Sequence, residues 1–265
     1  MADRNLIYTL LDEKTHNLNG GIYHKLQVDF AYNSNHIEGS QLSHDQTQYI
    51  FETKTVGMEP ARVDDIFEAV NHFRCFDMIL AQYKEPLSEN LIKALHKQLK
   101  TGTFSSQSKE AVIGDYKKVP DFVGNMKTAA PAEVQSEIKL LLSVYNSKRT
   151  HTLDDILDFH AGYEKIHPFY DGNGRTGRLI MFKECLCNNI VPFIITDQYK
   201  AYYYRGLKEW QTGGERGFLR DTCLLMQDNM KKVMDYFEIS YYGDSLTDTG
   251  NRPLPEGINP DTGTL

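Results

Sequence analysis

The sequence has few cysteines, no long apolar run and no surplus of positive charge. Only 4 of its 265 residues are cysteines, and their spacing fits neither a disulfide framework nor a thiolate metal site. We therefore expect buried free thiols. No apolar run approaches the roughly 20 residues that cross a bilayer, and residues 1–6 do not resemble a signal peptide. These absences predict a cytoplasmic protein without a membrane segment.

The overall charge excludes one further class of function. A formal net charge of -7 argues against nucleic-acid binding through a broad basic face. The composition is that of an ordinary globular protein, with 40% hydrophobic and 25% charged residues. We expect an N-terminal helical segment at 1–45, one main domain at 46–242 and a flexible tail at 243–265, which is rich in Gly, Pro, Asp and Thr.

Most of the chain shows apolar residues at helical spacing, which predicts an all-α protein. The clearest repeats begin at Ile22, Val63, Leu91, Val134 and Leu179. The helical repeat stops between residues 105 and 131, where glycines and prolines punctuate the chain. The residues themselves leave two readings open for this part, a surface loop or a short β-hairpin.

The stretch 167–178, HPFYDGNGRTGR, combines a glycine turn with two arginines. Gly172 and Gly174 allow positive φ angles, so backbone N–H groups can converge on an anion. A helix follows the turn, and its N-terminus also favours phosphate. Arg175 and Arg178 are three residues apart and share a face of that helix. A glycine pair before a helix is common turn chemistry, but together these features predict a polyphosphate site.

Two titratable residues of this stretch, and one from an earlier helix, add chemistry to the predicted site. Asp171 is a hard oxygen ligand suited to Mg²⁺ that is shared with phosphate groups. His167 can hold or lose a proton near neutral pH, which suits a general base. Glu38 lies in the last turn of the helix that begins at Ile22, where the helix dipole disfavours a carboxylate. A cationic partner would explain it, and Arg178 is the candidate.

The stretch 167–178 contains every fixed position of the signature H-x-F-x-(D/E)-G-N-G-R-x-x-R, and the chain thereby resembles the Fic family. The resemblance runs roughly from the first helix to the mid-210s. It implies a mainly helical Fic fold with a small β-hairpin flap over the active site. It also implies transfer of AMP from ATP to a protein hydroxyl, with release of pyrophosphate and with Mg²⁺ as the metal.

The resemblance assigns residues to this reaction. It implies a catalytic group of His167, Asp171, Asn173, Arg175 and Arg178, with Asp171 as metal ligand. Residues 114–117 resemble the lead-in to the flap, with Lys117 where the family has Arg, and the flap would hold the target protein by main-chain pairing. Tyr203 and Tyr204 would line the adenine pocket. The implied ATP-binding residues are Val123, Gly124, Asn125, Met126, Asp171, Gly172, Asn173, Gly174, Arg175, Thr176, Gly177, Arg178, Tyr203, Tyr204 and Gln211.

An inhibitory element is also implied. Ser34 to Gly39 fits the pattern S-x-x-x-E-G, which is similar to the inhibitory helix of the family. In this reading Glu38 pairs with Arg178 and occupies the space that the γ-phosphate of ATP needs.

Two other functions stay open. The same pocket could remove AMP from a protein, with Glu38 acting on water. Alternatively, the chain could be a non-catalytic nucleotide-binding interaction module, although the intact His167 and Asp171 argue against it. The expected partners are ATP and a target protein with an exposed Ser, Thr or Tyr hydroxyl, including the protein itself, and a homo-oligomer is compatible with the sequence.

Overall fold

A computed structural model of the chain describes residues 5–57, 59–107, 112–124 and 126–241. Within them the protein is mainly helical, as the apolar repeats and the resemblance predict. The ten helices of this part of the chain are α1 Leu6–Thr15, α2 Ile22–Ile37, α3 His44–Thr53, α4 Val63–Ala81, α5 Glu89–Lys100, α6 Pro131–Tyr145, α7 Leu153–Ile166, α8 Asn173–Cys187, α9 Lys200–Gln211 and α10 Gly217–Tyr236.

The β-hairpin is present, which resolves the choice that the residues left open. Strand β1, Phe122–Val123, pairs antiparallel with β2, Met126–Lys127. Gly124 has a φ of +58° in the turn between them, a conformation that glycine adopts without steric cost. Asn125, an expected ATP contact, lies outside the described residues.

Helix α8 lies at the centre of the protein. Thirteen of its residues are buried, which leaves almost no solvent-facing side. Its apolar residues, such as Leu179 and Phe182, join the main core, to which buried residues of every described helix except α3 contribute. Because α8 is buried on nearly all sides, its two arginines must find their partners inside the protein.

The four cysteines only partly match the expectation of buried thiols. Cys75, Cys185 and Cys223 are buried, but Cys187 is exposed. The reason is helical geometry, since residues two apart on α8 point in different directions and Cys187 is the last residue of the helix. The expectation for Cys187 was therefore wrong.

The proposed division of the chain stays a prediction. The main core contains residues on both sides of residue 45, such as Leu10 and Leu95. The tail at 243–265 lies outside the described residues. Among the helices that the structure describes, none is both long and apolar enough to cross a membrane.

Candidate active site

A cavity of about 500 Å³ lies between the hairpin, the end of α7, the start of α8 and one face of α9. It gathers several residues that the sequence had singled out from distant positions. Its lining consists of Glu38, Val123, Gly124, Met126, Glu164, His167, Gly174, Tyr204, Leu207, Lys208 and Gln211. The lining combines apolar side chains, such as Val123 and Leu207, with titratable ones, such as Glu38 and His167.

His167 is the C-cap residue of α7 and lines this cavity. Its backbone has the left-handed φ of +51°, which is uncommon for a residue other than glycine. The backbone N–H of His167 donates to Tyr163 O at 2.9 Å, so the conformation is fixed by the helix end. The ring atom Nδ1 lies 2.5 Å from Oδ2 of Asp121. Since an ionised carboxylate only accepts, Nδ1 carries the proton, and Nε2 of the neutral ring is left free to accept one.

Asp121 is a functional candidate that the sequence analysis missed. Partial burial acts to raise its pKa, but hydrogen bonds from His167, Lys117 and Thr128 outweigh burial and lower the pKa to about 2. Lys117 is buried, and its ammonium group contacts both Asp121 and Thr128. Lys117, whose contacts the sequence left undefined, thus supports the carboxylate that holds His167. A lone aspartate in a loop of uncertain structure gave no signal for this role.

Asn173 does not lie in the cavity, although it was expected in the catalytic group. It is 1% exposed, its Oδ1 accepts from Phe169 N and its Nδ2 donates to Phe169 O, both at 2.8 Å. Phe169 is itself buried, with its ring stacked on His96 at a centroid distance of 3.7 Å. Asn173 therefore fixes the shape of the loop before α8.

The two glycines of the loop differ in their reason for being glycine. Gly172 has a φ of +83°, as predicted for the turn. Gly174 is helical, so the expected positive φ at this position was wrong. A Cβ atom on Gly174 would lie 2.3 Å from Oε1 of Glu38. Gly174 thus provides the space in which the Glu38 carboxylate sits.

The predicted contact between Glu38 and Arg178 is present. Arg178 Nη2 donates to Glu38 Oε1 at 2.7 Å. The guanidinium group is buried, and it also donates to Ser34, from Nη2 to the carbonyl oxygen at 2.8 Å and from Nε to Oγ at 3.1 Å. Ser34 and Glu38 together hold Arg178 beside the start of α8.

Neither Arg175 nor Arg178 lines the cavity, and the two have different partners, which corrects the expectation that both line one phosphate site. Arg175 Nη1 lies 2.5 Å from Glu68 Oε2, and its Nη2 lies 3.2 Å from Asp171 Oδ1. The buried Lys100 joins the same group, with its Nζ 2.7 Å from Glu68 Oε1 and 2.6 Å from Asp171 Oδ2. Neither Glu68 nor Lys100 was singled out from the sequence, because their partners are distant in the chain.

Asp171 fits a metal ion only as a single ligand. Burial acts to raise its pKa, but Arg175 and Lys100 hold that pKa well below the usual range, so the carboxylate is ionised. Its side chain is 41% exposed, although Oδ1 accepts from Gly172 N and Oδ2 from Lys100. The described residues contain no cluster of three His, Cys, Asp or Glu side chains that could hold a metal ion. An ion at Asp171 would therefore depend on phosphate oxygens for its other ligands.

The two tyrosines of α9 separate. Tyr204 lines the cavity, as expected of an adenine contact. Tyr203 does not, since it is 0% exposed and its hydroxyl lies 2.6 Å from His160 Nε2. Consecutive residues of a helix point about 100° apart, which explains the difference. Gln211 lines the cavity, and its Nε2 donates to Ala161 O at 3.2 Å.

Thr176 and Gly177, the remaining residues of the motif, are buried in α8. Thr176 is fully buried. A Cβ atom on Gly177 would lie 2.5 Å from Oε1 of Glu164, so Gly177 leaves room for that carboxyl group. Neither residue lines the cavity.

Comparison with known proteins shows what this part of the chain is similar to. Residues 86–185 match the model of the Fic/DOC family. The chain is 24% identical over 233 residues to the Caenorhabditis elegans protein adenylyltransferase fic-1, an alignment that covers 85% of this chain and 44% of that protein. It is 27% identical over 194 residues to the Nematostella vectensis protein adenylyltransferase Fic, covering 71% and 44%. The chain thus spans less than half the length of these curated relatives.

Solved structures support the same fold. A Fic domain containing signaling protein from Bacteroides thetaiotaomicron superposes with a TM-score of 0.69 at 21% identity, covering 86% of this chain and 94% of that one. A fragment of Fic-1 from Caenorhabditis elegans gives a TM-score of 0.67 at 21% identity, covering 86% and 69%. The match of residues 86–185 to the Fic/DOC family model thus agrees with the fold, which is similar to that of the Fic proteins of known structure.

Proposed function

We propose that the protein transfers AMP from ATP to a Ser, Thr or Tyr hydroxyl of a protein, including itself, and releases pyrophosphate. The observation that carries the proposal is His167, held by Asp121 through Nδ1 and facing a cavity beside the start of α8. That arrangement offers a base next to a helix N-terminus, where a phosphate chain is favoured. The names of the relatives in Caenorhabditis elegans and Nematostella vectensis point to the same reaction.

His167 would act on the attacking hydroxyl. Nε2 takes the proton of the target hydroxyl, and the hydroxyl oxygen forms a bond to the α-phosphorus of ATP. The bond between the α-phosphorus and the oxygen that bridges to the β-phosphate then breaks, which releases pyrophosphate. Asp121 keeps the ring oriented and stabilises the imidazolium that results. Mg²⁺ held by Asp171 and phosphate would neutralise charge on the pyrophosphate. Base catalysis of this kind is worth about 10²–10⁴-fold in rate.

The hairpin would hold the target. Among the described residues its sheet consists of β1 and β2, so an extended target segment could pair with the outer edge of either strand. Such pairing is carried by main-chain groups and would align the target hydroxyl with His167.

Glu38 would restrain this reaction. Its carboxylate fills the space above Gly174 and bonds Arg178, a guanidinium otherwise suited to a terminal phosphate. ATP would then bind with its α-phosphate displaced, and a displacement of about 1 Å can cost about 10²-fold in rate.

Labelled ATP tests the proposal. Glu38→Gly should raise incorporation of AMP into the protein itself or into proteins of a cell extract, because Arg178 becomes available. Adding His167→Ala to that variant should abolish incorporation while ADP still binds. The exposed Glu137→Gly is the matched control. Incorporation that survives loss of His167 would reject it as the base, and nucleotide binding without any incorporation would favour a non-catalytic module.

Removal of AMP is a second candidate, since the Glu38 carboxylate and His167 line the same cavity. Glu38 would take a proton from water, the water oxygen would form a bond to phosphorus, and the bond from phosphorus to the oxygen of the target protein would break. His167, protonated at Nε2 in this reaction, would donate its proton to that departing oxygen. A labelled AMPylated protein should then lose its label with the wild type and keep it with Glu38→Gln. Equal loss with both proteins would reject this role for Glu38.

A further inference from the structure

The cavity holds a second carboxyl group that the proposed reaction does not use. Glu164 lies one turn before His167 on α7 and lines the cavity beside it. Its Oε1 is buried and has no hydrogen-bond partner among the described residues. A buried carboxyl oxygen without a partner is costly, which suggests that a ligand supplies the missing donor.

A glycine on α8 leaves space for the Glu164 carboxyl group. Gly177 leaves a space that the Glu164 carboxyl fills, as Gly174 does one turn earlier for Glu38. Any larger residue at 177 would displace the carboxyl from its place under the cavity. The two glycines of α8 therefore seat two carboxyl groups from two different helices.

Burial raises the pKa of Glu164 to about 7, against the opposing effects of His167 and Arg178. Neither side chain forms a hydrogen bond or an ion pair with Glu164 among the described residues. The protein thus leaves this carboxyl poorly compensated in the absence of ligand.

The position of Glu164 between His167 and Ala161 on α7 indicates which part of a nucleotide it contacts. At one side of Glu164 is His167, which would act at the α-phosphate. At the other is Ala161, one turn earlier on α7, whose carbonyl oxygen accepts from Gln211 on the wall formed by Tyr204 and Leu207. That wall suits the base, and the group between the base and the α-phosphate is the ribose.

We propose that Glu164 accepts a hydrogen bond from a ribose hydroxyl of the bound nucleotide and makes the site selective for ribonucleotides over deoxyribonucleotides. Carboxylates recognise ribose hydroxyls in the same way in dinucleotide-binding folds. A nucleotide that lacks the hydroxyl leaves the buried oxygen unpaired, so the site discriminates by penalty as well as by attraction. This inference rests on the proposed function, because it takes an adenine nucleotide as the ligand.

Calorimetry with diphosphates tests it without interference from the γ-phosphate. We would titrate ADP, 2′-deoxyADP and 3′-deoxyADP into the wild type, Glu164→Leu and Glu164→Gln, with Glu137→Leu as an exposed control. The wild type should bind ADP about tenfold more tightly than at least one of the deoxy forms, the difference that about 1.4 kcal/mol produces. Glu164→Leu should reduce that ratio to about one, because it removes both the hydrogen bond to ADP and the unpaired oxygen that penalises the deoxy forms. Glu164→Gln should keep part of the ratio through its amide oxygen.

The outcomes separate the two proposals. If Glu164→Leu keeps the wild-type ratio, the ribose contact is rejected although the site still binds adenine nucleotides. If Glu164→Leu instead removes a preference for ADP over inosine diphosphate, Glu164 contacts the base and the ribose assignment is also rejected. If no adenine nucleotide binds to the wild type, both the proposed function and this inference fail. Thermal unfolding of each variant verifies that the compared proteins are folded.

Discussion

Two arginines one turn apart on α8 have opposite surroundings. Arg175 contacts two carboxylates, Glu68 and Asp171, and does not line the cavity. Arg178 contacts one carboxylate, that of Glu38, among the described residues. The same helix thus carries one arginine in a closed network and one whose carboxylate partner lines an open cavity.

The difference in surroundings suggests different roles for the two arginines. Arg175 stabilises the fold, whereas Arg178 is available to a ligand when Glu38 moves. Lys100 completes the closed network, so two cations face two carboxylates and little charge is left for a ligand. The partner of Arg178 comes instead from the end of α2, and its side chain is 27% exposed. On the proposed function, a phosphate group that enters the cavity would replace Glu38, whereas the partners of Arg175 are held in the network with Lys100. The family motif contains both arginines, but among the described residues only Arg178 has a carboxylate partner that lines the cavity.

Loss of Arg175 should have the largest effect on stability. Arg175→Met leaves Glu68 and Asp171 with one cation between them, and breaking a buried network of this kind costs about 3–5 kcal/mol. Urea unfolding measures the change. The control is Arg205→Met, which removes an exposed pair with Glu209 and should cost less than about 1 kcal/mol. A cost for Arg175→Met that is no larger than the control would contradict the closed network.

Lys100→Met should sharpen the contrast between the two arginines. It removes one of the two cations that pair with Asp171, the expected metal ligand. Lys100 lies 2.6 Å from Oδ2 of Asp171 and repels any divalent cation placed there. Its removal should tighten binding of Mn²⁺ with ADP by about tenfold, since even a screened unit charge at this range is worth about 1–2 kcal/mol. Electron paramagnetic resonance of free Mn²⁺ provides the measurement, with the exposed Lys165→Met on α7 as control. Unchanged affinity would mean that Asp171 is not the metal ligand.

Some of this site was predictable from the sequence because it depends on short spacing. The turn at Gly172, the helix that follows and the place of Glu38 at the end of α2 all follow from local rules of helix geometry. The pairing of Glu38 with Arg178 spans 140 positions, yet it was inferred from a misplaced charge and from the family resemblance. The helical fold was predicted for the same reason, since apolar repeats are local.

The rest depends on contacts that no spacing reveals. Asp121 meets His167 across 46 positions, and Lys100 meets Asp171 across 71. Tyr203 was assigned to the nucleotide by its neighbourhood in the motif, yet the rotation of α9 turns it into the core. The motif lists which residues are present, but only packing decides which of them reach the cavity.

Removal of Glu38 should have the smallest effect on stability and the clearest effect on ligand response. Glu38→Gln keeps the shape of the side chain and removes its charge, and Ser34 still accepts from two nitrogens of Arg178. The free energy of unfolding should therefore fall by only about 1 kcal/mol, well below the loss for Arg175→Met. ATP should then raise the melting temperature of this variant more than that of the wild type, because the neutral amide competes less strongly with the terminal phosphate for Arg178 and a ligand that binds only the folded state stabilises it. Glu137→Gln should respond as the wild type does. An equal response of Glu38→Gln and wild type to ATP would mean that Arg178 is as closed as Arg175, and the contrast between the two arginines would be lost.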